Sequence, residues 1–333
     1  MSIQELIPSA GVRGCPAPRH LGLPTWLPNW SFPIMKILLL GKNGQLGWEL
    51  QRSLAILGEV FACDFDSPGD LRADFSDPES LAPLARRVRP DVIVNAAAHT
   101  AVDKAESEPE LAERINAVGP GVLAREAAAL GAAMVHYSTD YVYDGGGTEP
   151  RAETAAPGPL SVYGRTKLDG DELVRASGCR HVILRTSWVY AARGSNFIRT
   201  MLRLAAERQE LKVIDDQFGS PTGADLLADV TAIVLRQLLA DPAVAGTYHC
   251  VAAGQTTWHG SAQFVIDWAR AHSLPVAVAA DCVLPVPTSA YPTPARRPHN
   301  SRLDTSKLRQ TFNLVLPPWQ QGVGRMLTEI TGG

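Results

Sequence analysis

The chain has 333 residues, enough for two compact units and a sizeable buried core. Its apolar share of 45% and charged share of 20% are those of a globular protein, and its 28 glycines and 25 prolines stay below a low-complexity share; disorder, collagen and coiled coil are excluded as whole-chain readings. A net charge of −3 supplies no basic field to hold nucleic acid or an anionic membrane, so an anionic ligand must be held by local groups. No stretch approaches the roughly 20 consecutive apolar residues of a membrane-spanning helix. The N-terminus lacks the charged-then-apolar order of a signal peptide. The cysteines Cys15, Cys63, Cys179, Cys250 and Cys282 are odd in number and scattered, with no Cys-x-x-Cys pair. That argues against a disulfide framework or a zinc site and for a reducing cytoplasm.

Residues 1–34 carry Pro16, Pro18, Pro24, Pro28 and Pro33 without helical or strand periodicity. They read as a disordered or loosely packed extension. From Met35 the pattern alternates. An apolar strand at Lys36–Leu40 leads through a glycine-rich turn into a helix expected over Gln45–Leu57. A strand at Val60–Cys63, a helix near Pro78–Arg87 and a strand at Asp91–Asn95 follow. An alanine-rich helix is expected over Glu110–Leu130, broken at Gly119–Gly121. A strand at Ala133–Tyr137, a helix at Tyr163–Ala176 and a strand at His181–Leu184 complete the run. Continuous apolar strands between amphipathic helices predict a parallel sheet covered on both faces, a doubly wound α/β domain of the Rossmann kind. Beyond Tyr190 the rhythm loosens. Helices are still expected at Asn196–Glu207 and Ala224–Leu239, and the proline-rich stretch Leu284–Arg302 has the look of a substrate-binding loop.

The first chemical motif is Gly41-x-x-Gly44-x-x-Gly47, between a strand and a helix. The first glycine permits a tight turn, the second a close approach of backbone to a pyrophosphate, and the third close packing of helix on strand. The helix N-terminus then offers free N–H groups and a positive dipole end. Asn43, Gln45 and Leu46 belong to the same cradle. Asp64, at the end of the second strand, is placed to accept hydrogen bonds from an adenosine ribose, which taken alone favours NADH over NADPH; Arg72 nearby would instead attract a 2′-phosphate. Asp74 and Phe75 are candidates to frame the adenine. The small side chains of Ala96, Ala97 and Ala98 after Asn95 let a dinucleotide lie against the backbone.

The second motif is Tyr163-x-x-x-Lys167. Positions i and i+4 share a helical face. A phenol with an ordinary pKa near 10 becomes a usable general acid for a ketone when a close ammonium favours the phenolate. Ser138 and Thr139, at the end of the preceding strand, supply a hydroxyl within reach of the tyrosine and of a substrate oxygen.

These residues resemble the extended short-chain dehydrogenase/reductase superfamily, and within it the dTDP-4-dehydrorhamnose reductase family. The runs that carry the likeness are Met35–Leu50, Arg89–Glu108, His136–Tyr143, Arg185–Tyr190, Asp216–Gly223, Pro287–Pro294 and Arg297–Arg302. The resemblance implies a dinucleotide-binding domain over residues 35–190 plus about 222–253. A smaller, discontinuous substrate domain would occupy about 191–221 plus 254–333. It implies reduction of the C4 ketone of a dTDP-linked 4-keto-6-deoxy-L-hexose to dTDP-L-rhamnose, with Tyr163 as proton donor, Lys167 lowering its pKa and binding the nicotinamide ribose, and Thr139 tuning the tyrosine. Asp140 would lie beside Thr139 at the sugar, Trp188 would pack on the sugar ring, and Asn196, Arg297, Asn300 and Arg302 would meet the nucleotide and its diphosphate. The cofactor implied is NADPH or NADH. It also implies Mg2+ at a homodimer contact, with ligands at Glu49, Asp225 and Glu329, although these fall on three separate expected helices. Two other readings keep the fold: a sibling reductase that sets another C4 configuration, and a dinucleotide-binding regulatory subunit without turnover.

Overall fold

The computed structural model describes residues 34–332, so the expected N-terminal extension lies outside the described residues except for Ile34. Six strands form the main sheet: β1 (Lys36–Leu40), β2 (Glu59–Cys63), β3 (Val92–Asn95), β4 (Ala133–Thr139), β5 (Arg180–Thr186) and β6 (Gly246–His249). All pair in parallel, in the order β6-β5-β4-β3-β1-β2. The apolar runs explain this arrangement, because a strand with no polar face must be covered on both sides. Ile37, Leu39, Val92, Val94 and Val135 pack to one side with Leu50 and Leu54 of the helix Gln45–Leu54 and Leu227 and Leu235 of the helix Ala224–Ala240. Their neighbours Leu38, Leu40, Ile93 and Met134 pack to the other, with the helices Leu81–Val88 and Gly119–Leu130. The chain runs from β1 outward to β2, then crosses to β3 on the far side of β1. That reversal opens a crevice beyond the strand ends, the usual ligand position in such sheets.

The expected break at Gly119–Gly121 is absent. The helical path runs from Pro109–Glu113 through a wider π turn at Arg114–Val118 into Gly119–Leu130. Pro120 sits in the first turn of that last segment, where its missing N–H costs little. Gly119 is there for contact: a Cβ on it would lie 2.6 Å from Phe75 Cδ1. The helix Trp258–Ala271, which had no sequence expectation, and the helix Trp319–Thr331, which carries Glu329, join Phe197–Glu207 around a third apolar cluster that includes Tyr190, Ile198, Val265, Ile266, Trp319, Val323 and Leu327. Within the proline-rich stretch, the strand Val283–Val286 pairs in parallel with Leu211–Ile214.

A buried polar ladder joins β5 and β6 to the helix Val162–Ala176. Arg185 donates from Nε and Nη2 to Asp171 Oδ2, both at 3.0 Å, and from Nη1 to the Tyr143 hydroxyl at 2.8 Å. His249 Nε2 meets the same hydroxyl at 2.8 Å. Burying two charges is tolerable only when each is matched. Arg185→Leu is expected to cost about 3–5 kcal/mol of stability in urea unfolding, because it strands the Asp171 carboxylate. A loss under about 1 kcal/mol would show that charge to be compensated elsewhere.

Candidate active site

The turn after β1 is shaped by what cannot fit. Gly41 has φ +86°, and a Cβ there would lie 2.6 Å from the Ala97 nitrogen and 2.8 Å from the Ala96 carbonyl carbon. A Cβ on Gly47 would lie 1.9 Å from the Gly41 oxygen. The turn thus presses backbone against backbone. Gly44 starts the helix Gln45–Leu54 with no side-chain cap, and Asn43 and Gly44 are exposed. The first-turn N–H groups of Gln45, Leu46 and Gly47 are left for a ligand, the arrangement that suits a pyrophosphate. The residues present fit a dinucleotide.

The acidic residues expected at the adenosine end are already engaged. Asp64 accepts from the Asn43 N–H at 3.1 Å and from the Phe65 N–H at 2.8 Å, so it braces the glycine turn. Asp74 accepts from Arg72 Nη2 at 2.8 Å and from the Ser76 hydroxyl at 2.6 Å, and these bonds hold its carboxyl below the usual carboxylate range. Phe75 is buried, with Gly119 packed against its ring. Ala96, Ala97 and Ala98 are half-buried at the end of β3, where the chain meets Gly41.

Tyr163 and Lys167 lie on one face of the helix Val162–Ala176, which Ser161 caps by accepting from the Gly164 N–H at 3.1 Å. Lys167 is 2% exposed. Its Nζ donates to the Tyr137 carbonyl oxygen of β4 at 2.6 Å and stands 3.5 Å from His136 Nε2. Asn95 connects this group to the glycine turn: its Oδ1 accepts from the Ala97 N–H at 3.1 Å and its Nδ2 meets His136 Nδ1 at 3.2 Å. Burial pushes the Lys167 ammonium down to about 8, against the pull of Asp171, so at neutral pH it remains largely charged.

Tyr163 departs from expectation. Its phenol is not lowered but pushed up to about 12, by burial first and by the charges of Asp140 and Asp171; the Thr139 hydroxyl opposes this. The ammonium that was to lower it is turned toward the Tyr137 carbonyl. At neutral pH the phenol therefore holds its proton, the state from which a proton donor starts. Tyr141 stands edge-on to the Tyr163 ring, with centroids 5.5 Å apart. Tyr141 also lines a cavity of about 260 Å3 with Phe197, Trp258, Tyr291 and Arg297.

The structure scatters the other expected ligand contacts. Trp188 stacks on Trp258, with centroids 3.7 Å apart. Asn196 caps the helix Phe197–Glu207 and donates to Gln45 Oε1 at 3.0 Å, tying that helix to the glycine turn. Arg297 forms a forked pair with Asp103 at 2.6 and 3.0 Å. Arg302 lies over the Phe218 ring at 4.1 Å. Asn300 is 2% exposed and gives its amide to the carbonyls of Gly146 and Glu149. Its side chain thus ties its own segment to the loop 146–149. Tyr141, His136 and Trp258 had no local signal in the chain, since each acts through a partner distant in sequence; Asp171 stands one helical turn after Lys167, a spacing that could have found it.

Glu49, Asp225 and Glu329 do line one pocket, of about 520 Å3. Within one copy of the chain they do not converge as a Mg2+ donor set. Asp225 pairs with Arg325 at 3.1 Å and Glu49 with Arg52 at 3.5 Å, and among the described residues no group of three metal-binding side chains converges. Among the described residues no helix is long and apolar enough to cross a membrane.

Asp140 follows Thr139, whose hydroxyl donates to its Oδ1 at 3.1 Å, while its Oδ2 is buried without a partner. Burial pushes this carboxyl up to about 7. The folded chain then holds a proton that the unfolded chain releases above its ordinary value near 4. Stability relative to Asp140→Asn is expected to fall as pH rises from about 4 to about 7, read by urea unfolding across that range. A difference that stays flat or grows with pH would contradict the burial of a neutral carboxyl.

Comparison with known proteins places this geometry. The sequence model described as RmlD substrate binding domain matches residues 35–331. The chain is 58% identical to the dTDP-4-dehydrorhamnose reductase of Escherichia coli (strain K12) over 296 residues, covering 89% of this chain and 98% of that protein. Among solved structures, it is similar to a dTDP-4-dehydrorhamnose reductase from Clostridium acetobutylicum at 36% identity and a TM-score of 0.79, covering 89% of this chain and 100% of that one. It is also similar to one from Bacillus anthracis in complex with NADP, at 33% identity and a TM-score of 0.78, covering 89% and 99%. The chain belongs to the dTDP-4-dehydrorhamnose reductase family.

Proposed function

We propose that this protein reduces the C4 ketone of dTDP-4-dehydro-β-L-rhamnose to the alcohol of dTDP-L-rhamnose, using NADPH or NADH. The observation that carries the reading is one linked set of side chains. A protonated Tyr163 and a buried, charged Lys167 share a helical face, and Asn95 and His136 join Lys167 to the glycine turn. The activity of 47–58% identical relatives supports the same substrate. The bound NADP of the Bacillus anthracis relative supports a nicotinamide cofactor.

Gly41, Asn43, Gly44, Gln45, Leu46 and Gly47 would hold the pyrophosphate against the uncapped helix, with Ala96–Ala98 as the floor. Asp64 and Asp74 stand at the adenosine end. Reduced nicotinamide, when bound, supplies the hydride that C4 receives. Tyr163 gives its proton to the ketone oxygen, so that carbon gains the hydride and oxygen the proton. Lys167 then stabilises the phenolate left behind, since an ammonium in a poorly solvated site acts strongly on a nearby negative charge. The Thr139 hydroxyl, the group that lowers the Tyr163 pKa, also favours the phenolate, and Asp140 meets the sugar beside it. Arg297 would exchange its Asp103 partner for the diphosphate, and Arg302 would meet it alongside, since planar guanidinium groups suit phosphate oxygens. The same reading divides the chain into a dinucleotide-binding part, 35–190 with about 222–253, and a substrate part. A second copy of the chain would meet the face around the exposed Trp48.

Tyr163→Phe is expected to lower kcat by about 10²–10⁴-fold while NADPH affinity, read by fluorescence titration, stays within about twofold. Near-normal turnover in that variant would remove Tyr163 from the proton-donor role.

A further inference from the structure

Trp188 is a bulky residue in a backbone region that such residues avoid, with φ +49°. Strain of this kind persists where the surroundings over-determine it, and it concentrates at functional sites. The chain on either side is held. Ser187 is buried, and the next two residues, Val189–Tyr190, pair in parallel with Thr222–Gly223.

The indole itself is clamped. Trp258 lies on one face with ring centroids 3.7 Å apart and planes 15° from parallel. Gly219 closes the other face. A Cβ there would lie 2.7 Å from Trp188 Cε2, with Cζ2 at 2.9 Å and Cδ2 at 3.1 Å. Near-equal distances to an atom's two ring neighbours mean an approach perpendicular to the ring. With Trp258 stacked directly over the ring, that approach is from the opposite side. With both faces covered, Trp188 cannot lay a face on a sugar; it can offer only its edge and its Nε1–H.

Trp258 is fixed in turn. Its Nε1 donates to Gln217 Oε1 at 3.0 Å, Gln217 Nε2 donates to Thr288 Oγ1 at 3.0 Å, and Phe197 leans on its ring at 4.6 Å. Trp258 also lines two cavities. One, of about 130 Å3, contains Gln45, Trp188 and Asn196. The other, of about 260 Å3, contains Tyr141, Phe197, Tyr291 and Arg297. It is a shared wall between the space next to the glycine-turn helix and the space next to Tyr141.

We infer that Trp258 is a positioning residue for the nucleotide-sugar: by clamping Trp188 against Gly219 it sets where the Trp188 edge meets the sugar. This rests on the reduction proposed above, since Trp188 meets a sugar only within that reading. Trp258 touches no reacting atom, so its loss acts on substrate binding rather than on the chemical step.

The test uses the full chain and its variants Trp258→Ala, Trp258→Phe and Gly219→Ala, assayed with dTDP-4-dehydro-β-L-rhamnose and NADPH. Two stacked indoles give an exciton couplet in far-UV circular dichroism, which reports the clamp directly. In Trp258→Ala the couplet is expected to vanish and the KM for the sugar nucleotide to rise roughly tenfold, with kcat within about threefold and the KM for NADPH unchanged. Trp258→Phe keeps an aromatic face and is expected to recover most of the KM without the couplet. Gly219→Ala, whose added methyl occupies the Trp188 face, is expected to raise the same KM as Trp258→Ala does. An unchanged sugar KM in folded Trp258→Ala overturns the inference, and so does a rise that Trp258→Phe fails to correct. A wild-type chain that consumes no NADPH with this substrate overturns the reduction itself, a result that the variants cannot mimic.

Discussion

The Lys167 ammonium lies almost wholly out of water, and the site is organised around keeping it charged there. An isolated buried cation is costly, and it survives only when hydrogen-bonded and electrostatically matched. The Tyr137 carbonyl takes one proton of the ammonium at 2.6 Å, and the Asp171 charge raises its pKa against the desolvation that lowers it. Asp171 is in turn held by Arg185, and Arg185 by Tyr143. What looks like a core of β4 and β5 is therefore also the support of a cation. The same contacts fix the helix Val162–Ala176 on the sheet and hence the place of Tyr163.

This geometry changes how the proton donor is understood. A lysine four residues along a helix suggests a tyrosine made acidic by its neighbour. The structure instead holds the phenol firmly protonated, through burial first, with the Asp171 charge adding to it. The two pictures are reconciled by charge balance over a turnover. A donor must begin protonated, and stabilisation matters for the phenolate that forms after transfer. Burial and the Asp171 charge hold the proton on, while the Thr139 hydroxyl eases its departure.

Much of the first half of the fold was legible because it obeys local rules. Strands without a polar face, a glycine triplet between strand and helix, and an i, i+4 pair are each readable in a short window. β1, β3, β4 and β5 lie within two residues of their expected ends. The errors have physical reasons. Gly119-Pro120-Gly121 looked like a break because glycine and proline usually end helices, yet here they provide close contact with Phe75 and Leu173. The burial of Phe75 shows only in the fold, because the sequence does not tell which way a side chain faces. The backbone carbonyls that Asn300 meets lie in a loop about 150 positions away. Beyond Tyr190 the side chains that matter pair across long separations, such as Trp188 with Trp258 and Arg297 with Asp103. No window of the chain contains both members. The resemblance to a family supplied names for these positions, but the contacts they make came only with the fold.

The most direct measurement is a single incubation of the protein with dTDP-4-dehydro-β-L-rhamnose and NADPH, with cofactor loss followed by absorbance and the C4 configuration of the product read by NMR. One NADPH consumed for each dTDP-L-rhamnose formed is the predicted result. No consumption of cofactor, or a product with the opposite configuration at C4, would contradict the account.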